Sequence, residues 1–190
     1  MTATIAVLDD ESSVAFNVAH AVAALGWTPV VRTLSSPAAG LDLSGVTHIV
    51  LVTGRAPAEA QAVIDTLVKK LPSHVVLIGI GNGALSLAAA LGVRVPDERP
   101  LAPGVVEVCH DGRLSFGNLK YRFRAWTPRL PRLSSADLSE GLEVTATTPA
   151  GAVLAFRHRT HPREGVLFHP ESSGTPEGLR WFANVFGVKA

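Results

Sequence analysis

The feature that most limits how this chain can fold is a series of four short apolar runs: TIAVLD (4–9), TPVVRT (28–33), THIVLVT (47–53) and HVVLIG (74–79). Runs of this length, with little polar alternation, suit strands covered on both faces. Helical patterns fall between them. Ser12 or Ser13 can cap a helix running to Gly26, along which Val14, Val18, Val22 and Leu25 recur at helical spacing. Pro57 can open a second helix that closes near Lys69 and Lys70, whose charges suit a C-terminus. The fourth run feeds a glycine-dense turn and a short helix that stops at Gly92. Strands alternating with helices predict an α/β fold built on a mostly parallel sheet with helices on both faces.

The pattern changes near residue 100. GVVEVCHDGRLSF (104–116), GLEVTATTPAGAVLAFRH (141–158) and GVLFH (165–169) read as short strands joined by turns, forming a smaller antiparallel C-terminal portion. The Pro- and Ser-rich stretch 128–141 reads as a long surface loop. A last helix is signalled by Thr175 as cap and Pro176 at the first position, with Leu179, Phe182 and Phe186 on one face. With no repeat, low-complexity tract or linker, 190 residues of which 47% are hydrophobic predict one domain, 1–190, with one substantial core.

Charge and cysteine content exclude several function classes. Seventeen basic and sixteen acidic residues leave a formal charge of +1, which gives no electrostatic footprint for nucleic acid or an anionic membrane. Arg122, Arg124, Arg129 and Arg132, interleaved with Tyr121, Phe123 and Trp126, therefore read as a solvated strand and loop, or a protein-contact rim. The apolar runs fall far short of the roughly 20 residues a membrane span needs. MTATIAVLDD lacks the basic and apolar regions of a secretory signal, so a cytoplasmic location is expected. Cys109 is the only cysteine, and HRTH (158–161) lacks the further ligands of a zinc site. No metal and no cofactor are expected.

Two stretches carry a family resemblance. VLDDESSVAFNVAHAVAALG (7–26) is similar to the opening strand and helix of class I glutamine amidotransferases, with Asp9, Ser13 and Asn17 on matching positions of a D-N-Y-D-S-F-T-Y-N pattern. The block 141–187, which includes H-P-E-S at 169–172, resembles the C-terminal block of the same family. The resemblance is nearest to the glutaminase subunit of anthranilate synthase and aminodeoxychorismate synthase. It implies a class I amidotransferase-like (flavodoxin-like) fold. It also implies a chemistry in which a cysteine attacks the glutamine amide, a His–Glu pair activates it, and backbone N–H groups hold the oxyanion. The released ammonia goes to a partner that aminates chorismate.

On that resemblance, His169 and Glu171 stand where the base and its orienting carboxylate belong. Two residues apart on an extended segment, their side chains project from one side. The nucleophile elbow, G-x-C-x-G-x-Q in the family, reads Gly79-Ile80-Gly81-Asn82-Gly83-Ala84-Leu85, which puts Gly81 at the cysteine position and Leu85 at the substrate-binding glutamine. Arg124-Ala125-Trp126-Thr127-Pro128 corresponds to R-Y-H-S-L, so Trp126 and Thr127 fall in the former glutamine pocket with Gly83 and Leu85. The oxyanion loop, P-G-P-G in relatives, reads Thr53-Gly54-Arg55-Ala56, where only Gly54 fits. Neither Cys109, on a strand beyond the elbow, nor Ser86, a helical turn past its apex, is placed to substitute.

The expectation is a degenerate glutaminase subunit that serves as a stabilising or regulatory partner of a chorismate-utilising synthase. Two alternatives stay open. One is an enzyme with different chemistry at His169 and Glu171, or a sensor with a remodelled pocket. The other rests on Gly79-Ile80-Gly81-Asn82-Gly83-Ala84, which also fits the G-x-G-x-x-A dinucleotide fingerprint and would hold an anionic ligand, with Asp97 or Glu98 as the acidic ribose partner.

Overall fold

Alternation along the parallel strands divides the core into two layers. In the structure, a computed structural model that describes residues 4–10, 14–34, 44–54, 58–96 and 101–187, successive residues of a strand face opposite sides of the sheet. Ile5, Val7, Val50, Val52, Ile78 and Ile80 pack into one buried cluster, and Ala6, Leu8, Ile49, Leu51 and Leu77 into another. The strands are β1 (Thr4–Asp9), β2 (Thr28–Thr33), β3 (Val46–Thr53), β4 (Val76–Gly81), β5 (Gly104–His110), β6 (Arg122–Thr127), β7 (Leu142–Thr147), β8 (Val153–His158) and β9 (Arg163–Val166). Helices α1 (Val14–Ala24) and α4 (Gly178–Val185) supply Val18, Val22, Trp181 and Phe182 to the first cluster. Helices α2 (Ala58–Lys70) and α3 (Asn82–Ala90) supply Ile64, Leu67 and Leu87 to the second.

All nine strands form one mixed sheet in the order β2-β1-β3-β4-β9-β8-β7-β5-β6. The first five are mutually parallel, and the pairs from β9 to β6 are antiparallel. The antiparallel portion is therefore not a separate layer. It is joined edge to edge through β9, which runs parallel to β4 and antiparallel to β8. This seam matters for function because it delivers the segment after β9 to the same sheet edge as the end of β4.

Several local expectations shift. The fourth strand ends at Gly81 and α3 begins at Asn82, with no separate turn between them. The 128–141 stretch is anchored rather than free, since Leu130 and Leu133 are fully buried and Leu101 bridges to Leu130. The last helix starts at Gly178, not Pro176, so Leu179 lies 48% exposed while Trp181, Phe182 and Phe186 enter the core. Ser12, Ser13, Pro57, Arg55, Ala56, Asp97 and Glu98, named above, lie outside the described residues. Among the described residues no helix is long and apolar enough to cross a membrane, and no metal-binding cluster occurs.

Candidate functional site

In open α/β sheets, ligand sites form beyond the carboxyl ends of the strands, where connections diverge. Here β1 connects to β2 on one side and lies beside β3 on the other. Asp10 follows β1, Thr53 ends β3 with Gly54 after it, and Gly81 ends β4. The parallel seam brings in the fourth component. Val166 of β9 lies beside Ile80, so the chain beyond β9 leaves the sheet next to Gly81 and reaches His169 three residues later.

His169 is held from several directions. Its backbone N–H donates to the Trp126 carbonyl at 2.9 Å. The Thr175 hydroxyl donates to the His169 carbonyl at 2.7 Å and accepts the Trp126 N–H at 3.0 Å. Thr175 is thus a clamp between β6 and the 169–175 loop, rather than the helix cap its Thr-Pro context suggests. The imidazole meets the Trp126 ring edge-on, with centroids 5.3 Å apart. Its Nδ1 lies 2.5 Å from Glu171 Oε1, and the Glu171 side chain is only 3% exposed. A carboxylate at Nδ1 favours the tautomer with its proton there, which leaves the Nε2 lone pair as the basic atom.

Nε2 points at Gly81. That residue has φ 58° and ψ −121°, a conformation L-residues rarely adopt. A Cβ built on Gly81 would lie 2.6 Å from His169 Nε2 and 3.1 Å from its Cε1. The ring cannot readily withdraw, because Glu171 and Trp126 hold it. The space above Gly81 is therefore filled by the imidazole, not by the Trp126 indole that its bulk suggested. Among the described residues no hydrogen bond reaches Nε2.

The remaining glycines of the turn serve packing. A Cβ at Gly79 would lie 2.6 Å from Ala84 Cα, and one at Gly83 would strike the Leu51 carbonyl. Each lets α3 sit directly on β3 and β4, which accounts for the G-x-G-x-x-A spacing without a phosphate. Leu85 is buried in a cluster with Val93, Leu130 and Phe156 and does not line the cavity. Thr127 is fully buried and likewise off the cavity wall, with an Oγ1 that has no partner among the described residues.

A cavity of about 530 Å³ opens at this edge, lined in part by Asn17, Thr53, Gly54, Asn82, Trp126, His169 and Glu171. Of the sequence-nominated residues, Gly54, Gly81, Trp126, His169 and Glu171 converge here, while Gly83, Leu85 and Thr127 lie behind it. Sequence reasoning missed Asp10, whose Oδ1 accepts the Gly54 backbone N–H at 2.7 Å. An internal carboxylate thereby takes up the one N–H of the oxyanion loop that the sequence preserved. The only signal for it was a second aspartate beside Asp9. Cys109 lies on β5, opposite Arg122 and Thr147, and Ser86 is buried.

This fold, with a His–Glu pair facing a strand-to-helix apex, is that of an amidotransferase domain, and the profile of the class I glutamine amidotransferase family matches residues 6–188. The chain belongs to that family. It is 32% identical over 181 residues to anthranilate synthase component 2 of Thermus thermophilus, covering 90% of this chain and 86% of that one. It is 33% identical over 186 residues to aminodeoxychorismate synthase of Streptomyces griseus, covering 94% of this chain but 25% of the larger protein. Anthranilate synthase component 2 of Methanothermobacter thermautotrophicus is 37% identical over 102 residues. That match covers 54% of this chain and spans about half, 52%, of the relative. Among solved structures, a GMP synthase glutaminase-type chain from Thermoplasma acidophilum superposes with a TM-score of 0.85 at 22% identity. The superposition covers 98% of this chain and 94% of that one, a likeness of fold.

Proposed function

We propose that this chain is a pseudo-glutaminase: one domain that keeps the architecture of an amidotransferase subunit without its nucleophile, and that stabilises or regulates a chorismate-utilising synthase. The observation that carries the reading is the placement of His169 Nε2 within 2.6 Å of where a Cβ on residue 81 would stand. In the family the cysteine thiolate occupies that apex and the imidazole stands beside it. Here the residue has no side chain, and the imidazole has taken the space.

Two further features support inactivity. Acyl transfer needs backbone donors free for the developing oxyanion, and the Gly54 N–H is engaged by Asp10. The glutamine amide contact of the family has become Leu85, which turns into the core. The retained His169–Glu171 pair then acts as structure. It braces the 169–175 loop against β6 and keeps the shape of the sheet edge that amidotransferase subunits present to their synthases. Binding depends on surface shape and can persist after one buried thiol is lost. A synthase partnered in this way would use free ammonia or water, because no nitrogen is delivered.

The test is co-expression with the chorismate-utilising synthases of the source organism, followed by affinity capture. Recovery of a stoichiometric complex that forms no glutamate from glutamine supports the proposal, and failure to recover any synthase removes the partner role. A second reading, a remodelled pocket that binds a different small molecule, is favoured by the partnerless polar atoms in the cavity wall. An anion held by the 79–83 turn is less favoured, because its glycines are used for packing.

A further inference from the structure

Two polar groups in the cavity wall are left without partners. Thr53 is 6% exposed, and its Oγ1 has no hydrogen-bond partner among the described residues. Glu171 Oε1 is spent on His169, while Oε2 is buried and equally partnerless. Stranding a buried polar atom costs about 1–3 kcal/mol, more for a charged one. Both atoms belong to residues of one cavity of about 530 Å³, within the range of small-molecule sites. A carboxylate oxygen can only accept, so whatever completes Glu171 must donate. No lysine or arginine is among the residues lining the cavity, whereas Asp10 places a second carboxylate on the Gly54 amide. The N-terminus of α3 contributes a positive partial charge of roughly +0.5, which two formal carboxylates outweigh. The Trp126 ring adds a face suited to cations.

From these observations we infer that the cavity is a binding site for a small organic ammonium, a primary amine in its protonated form. The ammonium donates to Glu171 Oε2 and Thr53 Oγ1, and its carbon skeleton lies against Trp126. The inference rests on the reading of this cavity as remodelled and free of glutaminase chemistry. The chemistry selects against the family's own reaction, since an ammonium has no carbonyl for attack.

The test uses three probes of one shape and different head group: 3-phenylpropylammonium, 3-phenylpropionamide and 3-phenylpropionate. Each is titrated into the full chain by calorimetry at physiological salt, with glutamate release from glutamine measured in parallel. The ammonium should bind one to one and about tenfold or more tighter than either analogue, as expected of a charge-assisted bond to a buried carboxylate. Glu171→Gln should weaken it about tenfold and Thr53→Val about threefold, on the same scale. Glu107→Gln, on the far side of the β5–β6 pair beside Arg122, should change nothing. If Glu171→Gln fails to fold, Thr53→Val carries the comparison. Preference for the carboxylate would replace the inference with an anion site at α3, and equal or absent binding of all three probes would remove it. In either case an absence of glutamate leaves the pseudo-glutaminase reading standing. Glutamate formation together with amide binding would overturn both.

Discussion

Gly81 is where the account commits most, and Gly81→Ala is the smallest perturbation that tests it. The substitution adds one methyl group at φ 58°, where an L-residue is strained by about 1–3 kcal/mol. The methyl would also stand 2.6 Å from His169 Nε2, so the imidazole must move. Moving it separates Nδ1 from Glu171, whose buried carboxylate then loses its donor at a cost of about 1–3 kcal/mol. Together the two effects predict a loss of roughly 4 kcal/mol, which for a chain of this size lowers Tm by about 10 °C. Urea denaturation of Gly81→Ala, His169→Ala and the double variant separates the contributions. In the His169→Ala background only the backbone strain remains, so Gly81→Ala should cost at least about 1 kcal/mol less there than in the parent chain. Equal cost in both backgrounds, or a cost below about 0.5 kcal/mol in the parent, would refute the claim that the imidazole fills the apex.

Other expectations follow from the same geometry. Gly81→Cys should not restore glutaminase activity, because the thiol must displace His169 and the Gly54 amide stays bound to Asp10; a colorimetric ammonia assay checks this. Thr175→Val removes the hydroxyl that joins the Trp126 N–H to the His169 carbonyl. It should cost about 1–3 kcal/mol and raise proteolytic cleavage within 169–175. Burial pushes the Glu164 carboxyl up to about 7, against hydrogen bonding from Ser115 and the charge of Arg157. The native state therefore holds a proton that the unfolded chain releases near pH 4.5. Stability from this group is full below that pH and is lost as pH rises to about 7. Glu164→Gln, fixed in the neutral form, should match the parent near pH 4 and exceed it at pH 8 by up to about 3 kcal/mol, as read from urea midpoints.

Most of the parallel layer was legible in the sequence because its signal is local. Period-two burial in 4–9, 47–53 and 74–79, and the Val14-Val18-Val22 stripe, depend only on neighbours in the chain. What failed to show depends on contacts between distant segments. The pairing of β9 with β4 joins residues over 80 positions apart and leaves no mark on either strand. Thr175-Pro176 carries the signature of a helix start, but β6 captured the hydroxyl first, and the helix began later at Gly178. That delay rotated the apolar face, exposing Leu179 and burying Trp181. Within the site, spacing located His169, Glu171 and Gly81, because a two-residue step on an extended segment and an elbow are short-range geometries. The same spacing grouped Gly83 and Leu85 with the pocket. Helix α3 starts immediately after Gly81, and its turn carries both residues away from the cavity and into the core. The Asp10 contact to Gly54 spans two loops and could not be read from either one.

The central claim is that no acyl-enzyme forms on this chain, and one measurement addresses it most directly. The purified protein, alone and in excess over any trace amidotransferase, is incubated with isotopically labelled glutamine. Labelled glutamate and the intact protein mass are then followed by mass spectrometry. The account predicts glutamate at the uncatalysed background and no mass shift on the protein. Glutamate formed in proportion to protein concentration, and lost in His169→Ala, would contradict it.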